Sequence, residues 1–437
     1  MSAKVRFITL GCRVNQYETQ AMREALERGG AVAGRTAVDF VVINTCTVTE
    51  EADRTNRYWI RRARREHPAA KIVVTGCGVE RDRAQIEALP EVDLVLTHRE
   101  KAGIASRLLP GCAAPAPPLS ISRSEGHTRA FVKIQDGCNH ACSFCKVVLV
   151  RGRSRSRPLG GIVEEVIRLR DSGYRDIVFA GIQLGAYGLE GTEQIRLEDV
   201  LRACAKIEGI DRLRLSSIEP TDVTPALIAA LGDIPKCCPH LHIPLQSGDD
   251  EILRRMNRRY GRAFYLDLAA RLKSELSGFH LTLDVMAGFP GEEERHFQNT
   301  LEVLEAVKPL KCHVFPYSRR EGTRAARFEN IPDETVRARV EQLIRHAERL
   351  GREVRLPYLG KTLPVLAEIG KSRPGWLAGL TSNFMKVSFP GKPEWRNRMI
   401  PVELAAVEGD TFLGKPLTLP SPLRGEGKGE GRNCEEN

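Results

Sequence analysis

Short apolar segments alternate with helical segments along most of this chain, and a cysteine follows each of the first three. The predicted N-terminal strands are 4–10, 39–44, 71–75 and 92–96. Strands that alternate with helices predict a parallel, doubly wound sheet. Cys12, Cys46 and Cys77 each lie in a strand-to-helix loop. Such loops emerge at one edge of the sheet, where these folds bind ligands, so the three thiols are predicted to hold one cluster. The alternative is three buried thiols at strand ends.

A second set of cysteines is closely spaced. Cys138, Cys142 and Cys145 form the pattern C-x3-C-x2-C, and Phe144 stands just before the last of them. Three thiolates on one loop can face one inorganic centre, and they leave one iron of a four-iron cluster without a protein ligand. An open iron can bind a small molecule, as an open position does in a catalytic metal site. The alternatives are a zinc knuckle with its fourth ligand elsewhere and three unrelated buried thiols.

Length, charge and cysteine content limit the classes of protein to which this chain can belong. The 437 residues allow about two to four domains. No run of about 18 apolar residues is present and the N-terminus lacks the apolar segment of a signal peptide, so a cytoplasmic protein is predicted. Twelve cysteines in such a chain favour metal or redox chemistry over disulfides. The net charge of +10 suits a polyanionic partner.

The pattern of apolar residues divides the rest of the chain into segments of different predicted structure. Strand and helix alternate at least six times over 129–345, which predicts an open parallel barrel. Beyond 358, short alternating strands with glycine turns predict a small all-β barrel. The last segment has proline, glycine and charge but no periodicity, so disorder is expected. The predicted divisions are a first domain at 1–106, a linker at 107–128, a second domain at 129–355, a third at 356–417 and a tail at 418–437.

The cysteine motifs carry a resemblance to a known family. C-x3-C-x2-C with an aromatic residue before the third cysteine resembles the radical S-adenosylmethionine (SAM) superfamily. The sequences TLGCRVNQYET, NTCTVT and TGCGVE resemble the N-terminal domain of the methylthiotransferases, and most closely the branch that acts on threonylcarbamoyladenosine in tRNA. The resemblance runs from about Lys4 to Leu417. It implies a doubly wound N-terminal sheet, a partial TIM-like radical SAM barrel and a C-terminal OB-like TRAM domain that binds RNA.

The resemblance also implies cofactors, partners and a reaction. It implies a [4Fe–4S] cluster on each cysteine set, and SAM on the set of the C-x3-C-x2-C loop. SAM is cleaved there to a 5′-deoxyadenosyl radical, which removes hydrogen from carbon 2 of the modified adenine at tRNA position 37. The other cluster holds the sulfur, and a second SAM supplies the methyl group. The implied partners are the anticodon loop of a tRNA, an electron donor such as flavodoxin or ferredoxin, and a sulfur source. No membrane is involved, and the expected form is a monomer.

Polar residues and glycines at the ends of the barrel strands are the candidate SAM contacts that the resemblance implies. One loop offers a cradle for the amino-acid part, the next offers ribose partners, and an arginine can pair with the SAM carboxylate through its planar fork. The last loop suits the adenine edge. These candidates, together with the aromatic residue of the cluster loop, are Phe144, Gly181, Gln183, Ser217, Glu219, Gln246, Arg258, Arg259 and Gly288.

Candidate RNA contacts lie in two places. Four arginines alternate with small residues directly after the cluster loop, where they can neutralise phosphates, although a solvated loop is the alternative. They are Arg151, Arg153, Arg155 and Arg157. In the third domain, Asn383 and Phe384 fall where a TRAM domain offers a polar and an aromatic surface residue to RNA.

The sequence departs from the family pattern at two places. Gly78, Val79 and Glu80 stand where an aromatic, a small residue and glutamine are expected, and Val148 replaces an expected proline, which loosens the loop.

Three alternative functions stay open. They are methylthiolation of isopentenyladenosine in tRNA, methylthiolation of a ribosomal-protein aspartate, and RNA binding by a non-catalytic protein with a structural metal. The sequence motif around Cys12 disfavours the first two alternatives, and six intact cysteines in two sets argue against the third.

Overall fold

The N-terminal part of the computed structural model is one parallel five-stranded sheet in the order β2-β1-β3-β4-β5. The structure describes residues 2–47, 49–109, 111–112, 118–191, 194–368 and 373–417, so the predicted tail at 418–437 lies outside the described residues. The strands are β1 (Lys4–Thr9), β2 (Val32–Ala33), β3 (Phe40–Thr45), β4 (Lys71–Gly76) and β5 (Leu94–Leu96). The helices are α1 (Arg13–Arg28), α2 (Glu50–Glu66), α3 (Cys77–Glu87) and α4 (Ile104–Leu108).

Helices cover both faces of this sheet. Successive side chains of a strand point to opposite faces. Accordingly Val42 packs with Met22 of α1 in one cluster, while Val41 and Ile43 pack with Ile60 of α2 in another. The predicted doubly wound sheet is therefore confirmed. Sequence reasoning missed only the two-residue edge strand β2 and the short helix α4.

The central part is a partial barrel of six parallel strands. They are β6 (Ala130–Lys133), β9 (Asp176–Ala180), β10 (Arg212–Leu215), β11 (His240–His242), β12 (His280–Ala287) and β13 (Lys311–Pro316). Two three-stranded sheets are joined by bridges from Leu213 to Cys237 and from Ser217 to His242, which give the order β6-β9-β10-β11-β12-β13. Among the described strands β6 and β13 are not paired, so the barrel is open on that side as predicted.

Helices surround the barrel, and the two strands of a short hairpin flank the first of them, α5. The helices are α5 (Val147–Arg151), α6 (Leu159–Asp171), α7 (Leu197–Ala205), α8 (Pro225–Asp233), α9 (Asp250–Arg255), α10 (Arg262–Glu275), α11 (Glu294–Val307) and α12 (Asp333–Arg355). The hairpin pairs β7 (Gln135–Asp136) with β8 (Arg155–Ser156). It encloses the loop that carries Cys138, Cys142 and Cys145, so the two ends of that loop are fixed. Within the described residues, no helix combines the length and apolar character that crossing a membrane requires.

The C-terminal part is a closed five-stranded barrel with its own core. Its strands are β14 (Thr362–Ala367), β15 (Trp376–Leu380), β16 (Lys386–Pro390), β17 (Met399–Glu408) and β18 (Thr411–Pro416). The order is β14-β15-β16-β18-β17, and β14 pairs with β17 to close the barrel. Val387, Phe389, Val402 and Phe412 fill the interior with no exposed surface. The predicted small all-β barrel is confirmed.

Two buried arginines of β10 join the C-terminal barrel to the central one. Arg214 pairs through Nε with Asp176 at 3.0 Å and donates to the backbone oxygen of Thr381 at 2.9 Å. Arg212 donates to the backbone oxygens of Leu380 and Pro364 at 2.8 and 2.7 Å. These guanidinium groups reach backbone carbonyls of β14, of β15 and of the residue after β15, so they hold the closed barrel in one orientation.

We expect the substitution Arg214→Met to destabilise the protein by about 3–5 kcal/mol, because it leaves the buried carboxylate of Asp176 without its cation. The free energy of unfolding, followed by circular dichroism in urea, measures this. The matched control is Arg175→Met, which breaks the exposed pair with Asp211 and should cost less than about 1 kcal/mol. Equal effects of the two substitutions would contradict this account of the interface.

Candidate active site

The structure brings together the three cysteines of the N-terminal part. Cys12 follows β1, Cys46 follows β3 and Cys77 is the first residue of α3, directly after β4. These strands are neighbours in the sheet, so the three thiols reach one point at its carboxyl edge. All three line a cavity of about 440 Å³.

Two glycines permit this close approach. Gly11 has φ of +93°, and a Cβ on it would lie 2.8 Å from the Sγ atom of Cys46. Gly76 has φ of +104°, and its Cβ would lie 2.4 Å from the backbone oxygen of Thr45. Other residues are strained at such positive φ and would collide here. The glycines before Cys12 and Cys77 are therefore required for these strand ends to come together.

The loop of Cys138, Cys142 and Cys145 forms the opposite wall. Cys145 and Phe144 line the same cavity as the first cysteine set. Phe144 packs edge-to-face on Phe289 with ring centres 6.5 Å apart, which fixes the loop beside β12. The first set of thiols and Cys145 of the second set therefore line one cavity from two folded units.

N–H groups point at the sulfur atoms of both sets. Arg151 donates from Nε to Sγ of Cys77 at 3.3 Å, and Arg258 donates from Nη1 to Sγ of Cys142 at 3.3 Å. Backbone N–H groups reach Cys138 and Cys145 at 3.3 and 3.4 Å. Such donors and cations favour thiolate over thiol. The sequence alone does not reveal the two arginine donors, because both lie outside the pattern of cysteines.

Burial favours the protonated form of three of these thiols when no metal is bound. Burial raises the pKa of Cys138 to about 11 and that of Cys145 to about 12, and burial likewise raises the pKa of Cys77. A bound metal removes the proton from a coordinating thiol outright. The donor geometry fits thiolates, so the thiols are arranged for a positively charged centre.

The chemistry of the two donor sets fits iron–sulfur clusters. Each set offers three cysteine thiols, and a cluster of four irons takes cysteine thiolates as ligands. The N–H groups that reach sulfur atoms in both sets suit such thiolates. The residues present therefore fit one cluster on each set, with one iron of each cluster left without a protein ligand.

A buried ionic cluster supports the first cysteine set. Glu18 of α1 pairs with Lys101 at 2.5 Å, Lys133 at 2.7 Å and Arg151 at 2.6 Å. Burial raises the pKa of Glu18, but the three cations outweigh it and hold that pKa well below its usual value. Arg151 also donates to Oδ1 of Asn15 at 2.6 Å. Sequence reasoning missed this cluster, since its members are scattered along the chain.

Two of the predicted phosphate contacts are wrong. Arg151 is buried within the cluster around Glu18, and Arg157 pairs with the buried carboxylate of Glu165 at 2.5 Å. Neither guanidinium is available to a phosphate, because each neutralises a buried carboxylate. Arg153 and Arg155 are exposed, so for them phosphate binding stays a prediction.

The two predicted RNA contacts of the C-terminal barrel are also buried or paired. Asn383 is buried and donates to the backbone oxygen of Gly278 at 3.3 Å. Phe384 stacks on His240 with ring centres 4.1 Å apart and an interplanar angle of 8°. These side chains dock the closed barrel on the central one, so they do not form the open RNA surface that we predicted.

Some candidate SAM contacts surround the second cysteine loop. Gln183 is buried, accepts a hydrogen bond from the backbone N–H of Asn139 at 3.0 Å, and lies 2.9 Å from the imidazole of His140. Arg258 pairs with Glu219 besides contacting Cys142. The loop, the end of β9 and the segment after α9 are thus joined by polar contacts.

The other SAM candidates differ in what they face. Gln246 is buried at φ of +62°, lines the 440 Å³ cavity, and its Oε1 has no hydrogen-bond partner among the described residues. Ser217 and Arg259 are exposed. Gly288 has φ of +76° and lies against Val336 of α12. Gln246 is therefore the one of these four that faces the cavity of both cysteine sets.

Gln135 is a site residue that the sequence did not suggest. It is fully buried, donates to the backbone oxygen of Gly137 at 2.8 Å, and accepts from the backbone N–H groups of Ile182 and Gln183 at 2.9 and 2.8 Å. A Cβ on Gly181 would lie 2.9 Å from its Oε1, which explains the glycine there. Gln135 therefore fixes the start of the cluster loop to the end of β9.

The two departures from the family pattern are accommodated. Val148 is the second residue of α5, a position whose N–H has no partner within the helix, so a proline there would remove no helical bond. Gly78 donates to Oγ1 of Thr45 at 3.2 Å, Val79 is buried, and Glu80 accepts from the backbone N–H of His98. These residues take part in the local packing of α3.

Two family models match the chain. One, described as the radical SAM superfamily, covers residues 132–304, and the other, described as uncharacterized protein family UPF0004, covers residues 4–97. The first contains the C-x3-C-x2-C loop and most of the partial barrel, and the second contains Cys12, Cys46 and Cys77. The two cysteine sets thus fall in two separate families of sequence.

Solved structures share the fold. A radical SAM methyltransferase from Kitasatospora setae, TsrM, solved with tryptophan and a SAM analogue, aligns with a TM-score of 0.52 at 16% identity, over 72% of this chain and 73% of that one. The same protein with cobalamin and a [4Fe–4S] cluster aligns with a TM-score of 0.51 at 15% identity, over 86% and 81%. At such identities the likeness concerns the fold alone.

Curated relatives match nearly the whole chain. A protein of Chlamydia pneumoniae named threonylcarbamoyladenosine tRNA methylthiotransferase MtaB is 37% identical over 94% of this chain and 97% of its own length. The protein of that name from Bacillus subtilis is 36% identical over 92% and 94%. A tRNA-2-methylthio-N(6)-dimethylallyladenosine synthase of Salinispora arenicola is 33% identical over 84% and 77%. The chain therefore belongs to the radical SAM methylthiotransferases, in the branch of the threonylcarbamoyladenosine tRNA methylthiotransferases.

Proposed function

We propose that this chain adds a methylthio group to carbon 2 of N6-threonylcarbamoyladenosine at tRNA position 37, next to the anticodon. The observation that carries the proposal is the single cavity lined by Cys12, Cys46 and Cys77 on one wall and by Cys145 on the other. A substrate atom in that cavity can reach centres on both walls. Relatives from Chlamydia pneumoniae and Bacillus subtilis that are named for this reaction match over nearly the full chain.

Each cysteine set would hold a [4Fe–4S] cluster with one iron free of protein ligands. Cys138, Cys142 and Cys145 would hold the cluster whose chemistry, with SAM bound and an electron from an external donor, removes hydrogen from carbon. Cys12, Cys46 and Cys77 would hold the cluster that supplies the sulfur. The N–H donors of Arg151 and Arg258 would hold thiolates of the two sets in place. No general acid or base is needed for removal of hydrogen from an unactivated carbon.

The cavity walls suit a reactive carbon radical. Besides the cysteines, the wall includes the apolar side chains of Phe144, Val147, Met286 and Phe315. Such side chains exclude water and carry no labile proton, which prevents side reactions of an intermediate. Gln246 places an unpaired amide oxygen at this wall, so it is available to orient SAM or the nucleobase.

The remaining assignments form part of the same proposal. SAM would be held by the candidates at the strand ends, with Gln183, Glu219 and Arg258 closest to the cluster loop through their hydrogen bonds. The enzyme would work in the cytoplasm as a monomer, with flavodoxin or ferredoxin as electron donor and a separate source of sulfur. The domains would divide at the predicted residues 106, 129, 356 and 417.

The iron content tests the two-cluster proposal. After anaerobic reconstitution with iron and sulfide, we expect about eight irons per chain, falling to about four when Cys12, Cys46 and Cys77 are all replaced by alanine. The matched control replaces Cys112 and Cys312, which are free thiols outside both sets, and should keep about eight. About four irons in the unaltered protein would remove the second cluster and the methylthio transfer with it.

Nucleoside analysis tests the substrate. In tRNA from a strain that lacks this gene, we expect 2-methylthio-N6-threonylcarbamoyladenosine to disappear and its unmethylthiolated precursor to accumulate. The unaltered gene should restore the product, while a Cys145→Ala version should not, because the cluster loop loses a ligand. A loss of the methylthio derivative of isopentenyladenosine instead would move the chain to the other tRNA branch.

Helix α2 offers a basic surface for tRNA binding. This surface would take the role that was predicted for Arg151 and Arg157. Its N-terminal cap, Thr49, lines the cavity, so the helix begins at the mouth of the site. Its exposed arginines are Arg54, Arg57, Arg61 and Arg65. Arginines on one exposed face near the site can neutralise successive phosphates of an RNA backbone.

Replacing Arg57, Arg61 and Arg65 by glutamine should weaken tRNA binding and reduce the slope of log K against log salt by about two to three, since each phosphate contact contributes about 0.7–0.9. Filter binding over a series of salt concentrations measures the slope. The matched control neutralises Arg337, Arg345 and Arg352, exposed arginines of α12. If both triple variants changed the slope equally, α2 would have no special part in binding.

A further inference from the structure

A second cavity, of about 450 Å³, lies inside the partial barrel. Its wall includes inward-facing residues of β9, β10, β11, β12 and β13, and the start of α1 closes its open side. It shares Cys12, Val147, Ile182 and Asp284 with the wall of the first cavity. A nucleobase at the first cavity can therefore extend a substituent into the second.

The arginines of this second cavity differ in whether they have an acidic partner. Arg214 pairs with Asp176 at 3.0 Å and Arg129 pairs with Glu368 at 2.7 Å. The carboxylate of Asp284 contacts the imidazole of His242 at 3.1 Å. Arg13 has no acidic partner among the residues that the structure describes.

Arg13 is the unpaired cation. Among the residues that the structure describes, it forms no ion pair and donates no hydrogen bond, and its guanidinium lies over the ring of Phe131 at 5.2 Å. The charged groups that act on it most are the guanidinium groups of Arg129 and Arg214, which repel it. An arginine that is half-buried among other cations is stabilised when an anion binds beside it.

Two further donors of the same cavity lack partners. Ser216 is 8% exposed, lines the cavity, and its Oγ has no hydrogen-bond partner among the described residues. Nη1 of Arg129 is also buried without a partner in that part of the chain. Buried polar groups are nearly always satisfied, so unsatisfied donors beside an unpaired cation indicate a missing anionic ligand with acceptor oxygens.

We propose that Arg13, assisted by Ser216 and Arg129, binds the carboxylate of the threonylcarbamoyl group and thereby selects this substrate. The inference rests on the proposed function, which supplies the nucleoside. The threonyl carboxylate is the anionic group of that substituent, and guanidinium pairs with carboxylate through two parallel hydrogen bonds. An isopentenyl substituent is apolar and would leave Arg13 unpaired in a cavity closed by the substrate, which disfavours that nucleoside.

The test compares two substrates of nearly the same shape, one with a carboxylate and one with a neutral amide in its place. One anticodon stem-loop carries N6-threonylcarbamoyladenosine, and the other carries the same group with its carboxylate converted to the primary amide. For the unaltered enzyme we expect kcat/KM to be about 100-fold lower with the amide. The substitution Arg13→Met should lower kcat/KM about 100-fold for the acid and less than threefold for the amide. Arg168→Met, at an exposed position on α6, should change neither value.

Iron is counted in every variant, because Arg13 follows a cysteine of the first set. If the Arg13→Met protein holds less iron, the proposal is judged from the two substrates on the unaltered enzyme alone, since that comparison involves no substitution. Equal kcat/KM for acid and amide on that enzyme overturns the proposal, as does an equal loss on both substrates in an Arg13→Met enzyme with full iron. Failure of the proposed function differs from both: neither stem-loop would then gain a methylthio group while SAM is still cleaved.

Discussion

One buried arginine connects the two halves of the site, and the geometry of the rest depends on it. Arg151 belongs to α5, directly after the C-x3-C-x2-C loop, yet it donates to Sγ of Cys77 and pairs with Glu18 of α1. Lys101 and Lys133 complete the charge around Glu18. Removing one partner of a buried carboxylate strongly destabilises a protein, so these ion pairs resist separation. They therefore hold the N-terminal sheet and the barrel at a fixed distance from each other. That separation sets the distance between the two sets of thiols.

Sequence reasoning found what is local and periodic. The strand-helix alternation gave the sheet and the partial barrel, and the position of Cys12, Cys46 and Cys77 after consecutive strands predicted their meeting at one edge, which the structure confirms. Those inferences need only the fact that parallel strands end on the same side. The close spacing of the other three cysteines needed no long-range information either.

Sequence reasoning failed where the partner of a residue is distant in the chain. Arg151 and Arg157 have the alternating pattern of a phosphate-binding loop, but Arg151 pairs with Glu18, 133 residues away, and Arg157 donates to the hydroxyl of Tyr17, 140 residues away. Asn383 and Phe384 were expected on a surface, but that surface is covered because Arg212 and Arg214 dock the closed barrel against the central one. A pattern of residue types indicates a surface only until another part of the fold covers it.

The two adjoining cavities divide the work that a nucleoside-modifying site must do. The first exposes a mostly apolar surface beyond its cysteines, with Phe144, Met286 and Phe315 in its wall, as radical chemistry on carbon requires. The second has Arg13, Ser216 and paired histidines, so it can distinguish a charged substituent from an apolar one. If recognition lay in the same space as the reaction, its polar groups and their water would stand beside the reactive carbon. The separation follows from the fold, because the thiols lie at the ends of the strands and the polar residues lie along their inner faces.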